Sequence, residues 1–220
     1  MRLADADQLL GSGYLPLESG FQELEDGKWV VAALTRMPGC RAKMIDWWFS
    51  WLGDIEWYRL WHPTDHVYSG WEGRENGRYI GASHIVEEYF GGRDRPALRR
   101  RITFHAPEET FDAAKYASSG HFAICARNGP LDGPVSTGRM CHFVRNTDHG
   151  CEMRSRFWLG EIASRDPTIE ISASEARELR RRHLDQAFAR RLQQHCAEEM
   201  GYLAELLPTL YRRVTLDNTF

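Results

Sequence analysis

LDQAFARRLQQHCAEEMGYLAELL, residues 184–207, decides how this chain folds. At about 100° per residue, with Leu184 set to zero, Phe188 falls near 40°, Leu192 near 80°, Tyr202 near 0° and Leu206 near 40°. These residues form one apolar stripe, while Arg177, Arg181, Arg190 and Glu198 lie opposite, as in an amphipathic helix packed on a core. His195 and Glu199 fall inside the stripe, near 20° and 60° on the same wheel. An ionised carboxylate buried beside an imidazole needs a cation, a close partner or a metal. A His and a Glu four residues apart project over the same turn and can hold one metal ion from a single helix face.

Outward from that helix, Ser174 to Leu207 reads as one long closing helix (174–207), with a Ser/Asp-rich lead containing Pro167 and a stop at Pro208. Before it stand five strand-like segments, Tyr79 to Phe90, Arg101 to His105, His121 to Arg127, Val135 to Val144 and Glu152 to Ile162, each bounded by Gly, Pro, Asn or Asp. GPLDGP at 129–134 and NTDHG at 146–150 read as turns, so consecutive strands should pair antiparallel. Trp29 to Leu34 reads as a further strand, and Ala42 to Trp61, with five tryptophans, as helix broken at Gly53-Asp54. Residues 1–27 read as an irregular N-terminal segment.

A curved antiparallel sheet followed by one long helix with an apolar stripe must wrap that helix. The expectation is an α+β helix-grip fold in a single domain over 1–220, with a cavity between the helix's inner face and the sheet's concave face. His195 and Glu199 would face that cavity.

Composition supports an ordinary globular protein: 220 residues, 42% hydrophobic and 27% charged. A net charge of −3 and a pI near 6.3 give no basic field for nucleic acid. The local cluster Arg93, Arg95, Arg99, Arg100 and Arg101 reads as a solvated loop and strand start. Cys40, Cys125, Cys141, Cys151 and Cys196 are odd in number and lack CxxC spacing, which argues against a disulfide framework and a thiolate zinc site. Neither an export signal nor a membrane span is read, so a cytoplasmic location is expected. The sequence leaves monomer and homodimer both open.

Further donors must come from elsewhere. His62 and His66 follow the aromatic helix in WHPTDH, where Pro63 ends the helix and frees the loop to turn inward. His84, Glu87 and Glu88 share a strand, so only one of the two glutamates can point into the cavity.

MIDWWFSWLGDIEWYRLWHPTDH at 44–66, HIVEEYFGG at 84–92, CEMRSRFWLG at 151–160 and HCAEEMGYL at 195–203 together resemble the 2,4-diacetylphloroglucinol hydrolase / phloretin hydrolase family. The resemblance spans most of the chain from about residue 30. It implies a Bet v 1-like fold and a zinc-dependent hydrolase that cuts the carbon–carbon bond between a phenolic ring and an acyl group. It implies zinc ligands at His66, Glu88 (chosen over Glu87), His195 and Glu199, and a substrate-contacting tyrosine at Tyr58, eight residues before His66. The family's acid/base histidine best matches His142. A further substrate tyrosine of the family has no clear counterpart, since Phe157 and Trp158 stand in that region; Phe157 and Trp61 are taken as substrate-contacting walls. His62 is read as an orienter of the site or a solvent-facing helix end, and His84 as structural.

Two rival readings use the same residues. A ligand-binding protein of the same fold would hold an aromatic molecule and no metal. A non-haem iron oxygenase would use a 2-His-1-carboxylate set, against which the fourth ligand, Glu88, argues. Spacing alone does not select zinc over manganese or iron.

Overall fold

The computed structural model describes residues 1–215; the last five positions of the expected 1–220 domain lie outside the described residues. Eight strands form one antiparallel sheet: β1 Gly20–Glu23, β2 Trp29–Pro38, β3 His66–Glu72, β4 Ser83–Glu88, β5 Leu98–His105, β6 Phe122–Pro130, β7 Val135–Thr147 and β8 Gly150–Ser164. Their order is β1-β2-β8-β7-β6-β5-β4-β3, so each strand from β3 to β8 pairs with its neighbour in sequence. The turn at 148–149 joins β7 to β8 with Thr147 opposite Gly150, the hairpin expected from NTDHG.

The helices are α1 Ala42–Trp51, α2 Ile55–Trp61, α3 Ala113–Ser119, α4 Ala173–His183 and α5 Gln186–Thr215. Asp54 separates α1 from α2 as expected, because its carboxylate accepts the backbone N–H groups of Glu56 and Trp57 at 3.0 and 3.2 Å and so caps a new helix. Helix α5 packs against β1 and β2 and against α1 and α2, lying across the concave side of the sheet. This is the helix-grip arrangement.

The long closing helix differs from expectation at both ends. Asp185 accepts the Phe188 N–H at 2.6 Å, capping a new helix and dividing 174–207 into α4 and α5. At the other end the helix continues through Pro208 to Thr215. Proline cannot donate to the carbonyl one turn back. Here that carbonyl, on Ala204, accepts the Cys40 thiol at 3.6 Å, while Leu207 and Leu210 on either side are buried and hold the helix on the core.

The apolar stripe is also rotated from the expected one. The buried face of α5 runs through Ala189, Leu192, Cys196, Met200, Leu203 and Leu207, whereas Tyr202 is 42% exposed. His195 and Glu199 sit on one flank of this face and are buried.

Residues 1–27, expected to be irregular, hold a 3-10 helix, Leu3–Leu10, and the edge strand β1. The 3-10 helix covers a second apolar cluster that includes Leu9, Val30, Phe111, Phe143 and Trp158. Arg154 and Arg156, on the same outward parity of β8 as Trp158, are fully buried there by Glu18, which accepts from them at 2.6 and 2.7 Å. Strand β3 was not foreseen, and the expected strand from Tyr79 is shortened to Ser83–Glu88. Gly81, at φ 90, turns the chain just before it.

Candidate metal centre and cavity

Antiparallel register brings the first two candidate ligands together. His66 opens β3 directly across from Glu88, the last residue of β4, with a bulge between His66 and Tyr68. Alternation along β4 then sends His84 and Glu88 to the concave face, and it is Glu88, buried, that lines the cavity. Helix α5 passes over this corner and lowers His195 and Glu199 onto it.

The His66 Nε2 atom stands 3.5 Å from Glu199 Oε2 and 3.9 Å from Glu88 Oε1, and His195 Nε2 stands 3.8 Å from Glu199 Oε2. Both imidazoles are held by their other nitrogen. His66 Nδ1 donates to the Tyr58 carbonyl at 2.7 Å, and His195 Nδ1 donates to Asp65 Oδ2 at 3.1 Å. These bonds leave Nε2 of each ring aimed at the shared carboxylate, and His66 Nε2 is buried with no hydrogen-bond partner. Donor atoms around one ion at about 2.0–2.2 Å stand roughly 3.3–3.6 Å apart, close to the separations seen here. Nδ1 tied to a carbonyl or carboxylate is also the usual outer support of a metal-binding histidine. The donor set therefore fits a divalent metal. Glu88 stands at its edge, with its Oε1 accepting the Tyr58 hydroxyl.

A second trio, His62, Asp65 and His195, also lies close enough to share an ion. It competes for the same histidine. His62 Nδ1 accepts the Asp65 N–H at 3.3 Å, and Asp65 Oδ2 also accepts the Gly91 N–H at 3.3 Å, so both are engaged in fixing the loop. The His62 ring stacks on His195 with centroids 4.9 Å apart, which makes it a support of the site and not a solvent-facing helix end.

Burial drives the electrostatics. It lowers His66 to about 4 and raises Glu199 above the usual carboxylate range. Burial alone would lower His195 too, but the hydrogen bond to Asp65 and the charge of Glu199 outweigh it and raise the ring to about 9. Tyr58 is pushed well above 10, first by burial and then by the Glu88 charge beside its hydroxyl.

The cavity extends from these donors between α5 and the sheet, with a volume of about 60 Å³. Tyr58, Trp61, His142 and Phe157, all expected at the substrate, line it. The Tyr58 ring stacks on His66 with centroids 3.7 Å apart, and the Trp61 indole N–H is buried without a partner, a donor left for a ligand. His142 is bonded through Nδ1 to Ser155 Oγ at 2.7 Å, and burial pushes it down to about 4, so the ring is neutral near pH 7. A pKa near working pH, the reason for favouring His142 from sequence, is not what the site provides. Phe157 occupies the position where a second tyrosine was sought and brings no hydroxyl. His84 lines the wall, stacks on Trp71 at 4.5 Å and shares a hydrogen bond with Ser69 at 2.9 Å.

Two polar groups escaped the sequence reading. Asp65 lies in a loop, where no periodicity flags it. Arg100 and its partner Asn128 line the cavity, although Arg100 had been read as part of a solvated run. Strand parity was the available signal: Leu98, Ile102 and Phe104 flank it on the inward row of β5. The five cysteines are free and buried, as expected. Among the described residues no helix is long and apolar enough to cross a membrane.

A helix-grip domain whose cavity ends on a buried carboxylate–histidine cluster defines a class of small-molecule-handling proteins with a candidate metal centre. Comparison with known proteins narrows it: the family model for the DAPG hydrolase PhiG domain matches residues 1–212, and the chain belongs to that family of hydrolases. The chain is 28% identical over 235 residues to 2,4-diacetylphloroglucinol hydrolase of Pseudomonas protegens, covering 96% of this chain and 73% of that protein. It is 27% identical over 206 residues to phloretin hydrolase of Eubacterium ramulus, covering 87% and 70% of the two chains. Among solved structures, ginseng major latex-like protein 151 from Panax ginseng aligns over 76% of this chain and 97% of its own, with a TM-score of 0.41 and 10% identity.

Proposed function

We propose that this hydrolase is zinc-dependent and cleaves the carbon–carbon bond between a phenolic ring and its acyl group, releasing a carboxylic acid. The observation that carries the reading is the convergence of His66 Nε2, His195 Nε2 and Glu199, with Glu88 beside them, at the end of an aromatic-walled cavity. The names of the relatives, hydrolases of diacetylphloroglucinol and phloretin, supply the substrate class.

An aryl carbanion is too unstable to depart. The ring carbon bearing the acyl group must first take a proton, which converts the ring to a keto form whose departure restores a phenol. Water adds to the acyl carbon, that carbon–carbon bond breaks, and its electrons return to the ring. Bound through His66, Glu88, His195 and Glu199, zinc would supply Lewis-acid polarisation of a substrate oxygen. His142 accepts a proton as the neutral imidazole that its burial enforces, and the imidazolium so formed is a stronger acid than in water, suited to passing the proton to carbon. Ser155 keeps the ring oriented. Tyr58 donates its hydroxyl hydrogen to Glu88 and stands ready to donate to a phenolic oxygen. Trp61 and Phe157 exclude bulk water.

Elemental analysis of the purified protein beside the His195→Ala/Glu199→Ala double variant tests the centre, and chromatography of acyl phloroglucinols incubated with the protein tests the reaction. A single zinc per chain, lost in the variant, with phenol and acid released in equal amounts, is expected. Metal-free wild type that cannot be reconstituted would overturn the proposal in favour of a binding protein.

A further inference from the structure

On the concave face of β5 the inward row reads Leu98, Arg100, Ile102, Phe104, a single charge among apolar side chains. Arg100 Nη2 donates to Asn128 Oδ1 at 2.9 Å, and among the described residues no carboxylate forms an ion pair with it. A guanidinium carries five N–H donors, so most of this fork is uncommitted.

Its position gives it an occupant. Arg100 and Phe90 line the inner cavity and also a second one of about 380 Å³, beyond the break between α4 and α5. The Arg100 guanidinium lies 5.9 Å from the Phe90 ring centroid, so the two form the neck between the chambers. The outer chamber is apolar along Leu98, Leu159, Ile162, Leu179 and Phe188, and its charged lining is basic, from Arg95 and Arg191 with no acidic residue among the described lining. The inner cavity, at about 60 Å³, falls far below the roughly 300–1,000 Å³ of a small-molecule site. A substrate with its ring against the aromatic walls must pass its acyl arm through the neck.

We propose that Arg100 is the carboxylate-binding residue of this site, holding the newly formed carboxylate of the released acid at the neck while the acid's hydrocarbon arm lies in the outer chamber. This deepens the hydrolase reading and rests on it. Cleavage with water turns the acyl carbonyl carbon into a carboxyl carbon, and the acid loses its proton near neutral pH. The new anion therefore appears one bond from the severed ring, where the uncommitted fork stands. Arginine matches a carboxylate with two parallel hydrogen bonds, a geometry that lysine lacks.

Calorimetric titration of the full chain with hexanoate, acetate and phloroglucinol tests this without turnover. Wild type should bind hexanoate more tightly than acetate. Arg100→Met, which keeps an apolar stem, should weaken hexanoate about ten- to hundredfold, as for a lost charge-assisted hydrogen bond, and leave phloroglucinol unchanged. Ile162→Trp, filling the outer chamber, should abolish the preference for hexanoate while acetate still binds. Unchanged hexanoate affinity in Arg100→Met, or a loss that falls on phloroglucinol instead, would overturn the assignment. Cleavage of acyl phloroglucinols with Arg100-independent hexanoate binding would sink this inference alone; Arg100-dependent binding without any cleavage would sink the hydrolase reading and leave an anion site.

Discussion

Replacing Asp65 with asparagine separates the two donor sets that share His195. The substitution preserves shape but removes the charge that accepts His195 Nδ1–H at 3.1 Å and Gly91 N–H at 3.3 Å. If the centre is His66, His195, Glu199 and Glu88, Asp65 acts only through the imidazole, and the loss is that of one charge-assisted hydrogen bond, about 1.5–3 kcal/mol. That corresponds to zinc binding weaker by about ten- to hundredfold, the range typical of an outer support of a metal-bound histidine. Competition for zinc against a chromophoric chelator measures it directly. Thermal unfolding at fixed free zinc gives a second reading, since a tenfold weaker site loses about 1.4 kcal/mol of ligand-induced stabilisation. Stoichiometry should stay at one zinc per chain, and His66→Ala should abolish binding. If instead Asp65→Asn and His62→Ala each abolish binding while His66→Ala spares it, the centre is the other trio and the assignment is refuted.

Glu18 should matter for stability in a pH-dependent way. Although burial alone would raise its carboxyl, the hydrogen bonds from Arg154 and Arg156 outweigh it and hold the group at about 2, against a usual 4.5. That depression contributes roughly 3 kcal/mol, fully present above pH 4.5 and lost as pH falls toward 2. Glu18→Ala should therefore lower the unfolding free energy at pH 7 by about that amount, with the difference from wild type closing in acid; a pH-independent difference in urea melts would contradict this. His142→Ala should leave zinc stoichiometry intact and lower turnover by about 10²–10⁴, and undiminished turnover would remove His142 from the mechanism. Gly150→Ala should destabilise by about 1–3 kcal/mol or more, because a Cβ there would lie 2.2 Å from the Met37 carbonyl oxygen across the β2–β8 pair; a melting temperature equal to wild type would show that this backbone approach relaxes freely.

The fold could be read where local chemistry carried it. Turn residues at 129–134 and 146–150 punctuate strands that alternate, and Asp54 caps a helix after a break that Gly53 announces. What escaped depended on distant partners. Pro208 looked like a stop because its lost hydrogen bond is visible in the sequence, whereas the Cys40 thiol that takes up the Ala204 carbonyl lies 164 positions away. The N-terminal segment looked irregular because its order comes from Glu18 reaching Arg154 and Arg156 on β8, a contact that no nearby spacing encodes.

The candidate site divides along the same line, and the division explains which residues a sequence exposes. His195 and Glu199 stand out because a helix has a period and they violate its apolar phase, a violation that survived even though the true buried face is rotated from the one first drawn. Arg100 breaks a period in the same sense. Its inward row on β5 is apolar except for that one side chain, but the strand's outward neighbours, Arg99 and Arg101, are also arginines. Read as composition, the three are a solvated cluster; read with period two, the middle one points inward between Leu98 and Ile102. Asp65 has no such phase to break. It lies in a loop, and its role exists only once α5 is laid over the β3–β4 corner and His195 Nδ1 arrives. Residues that break a local period can therefore be found before the fold is known. Those that support them from loops become visible only with the fold in hand.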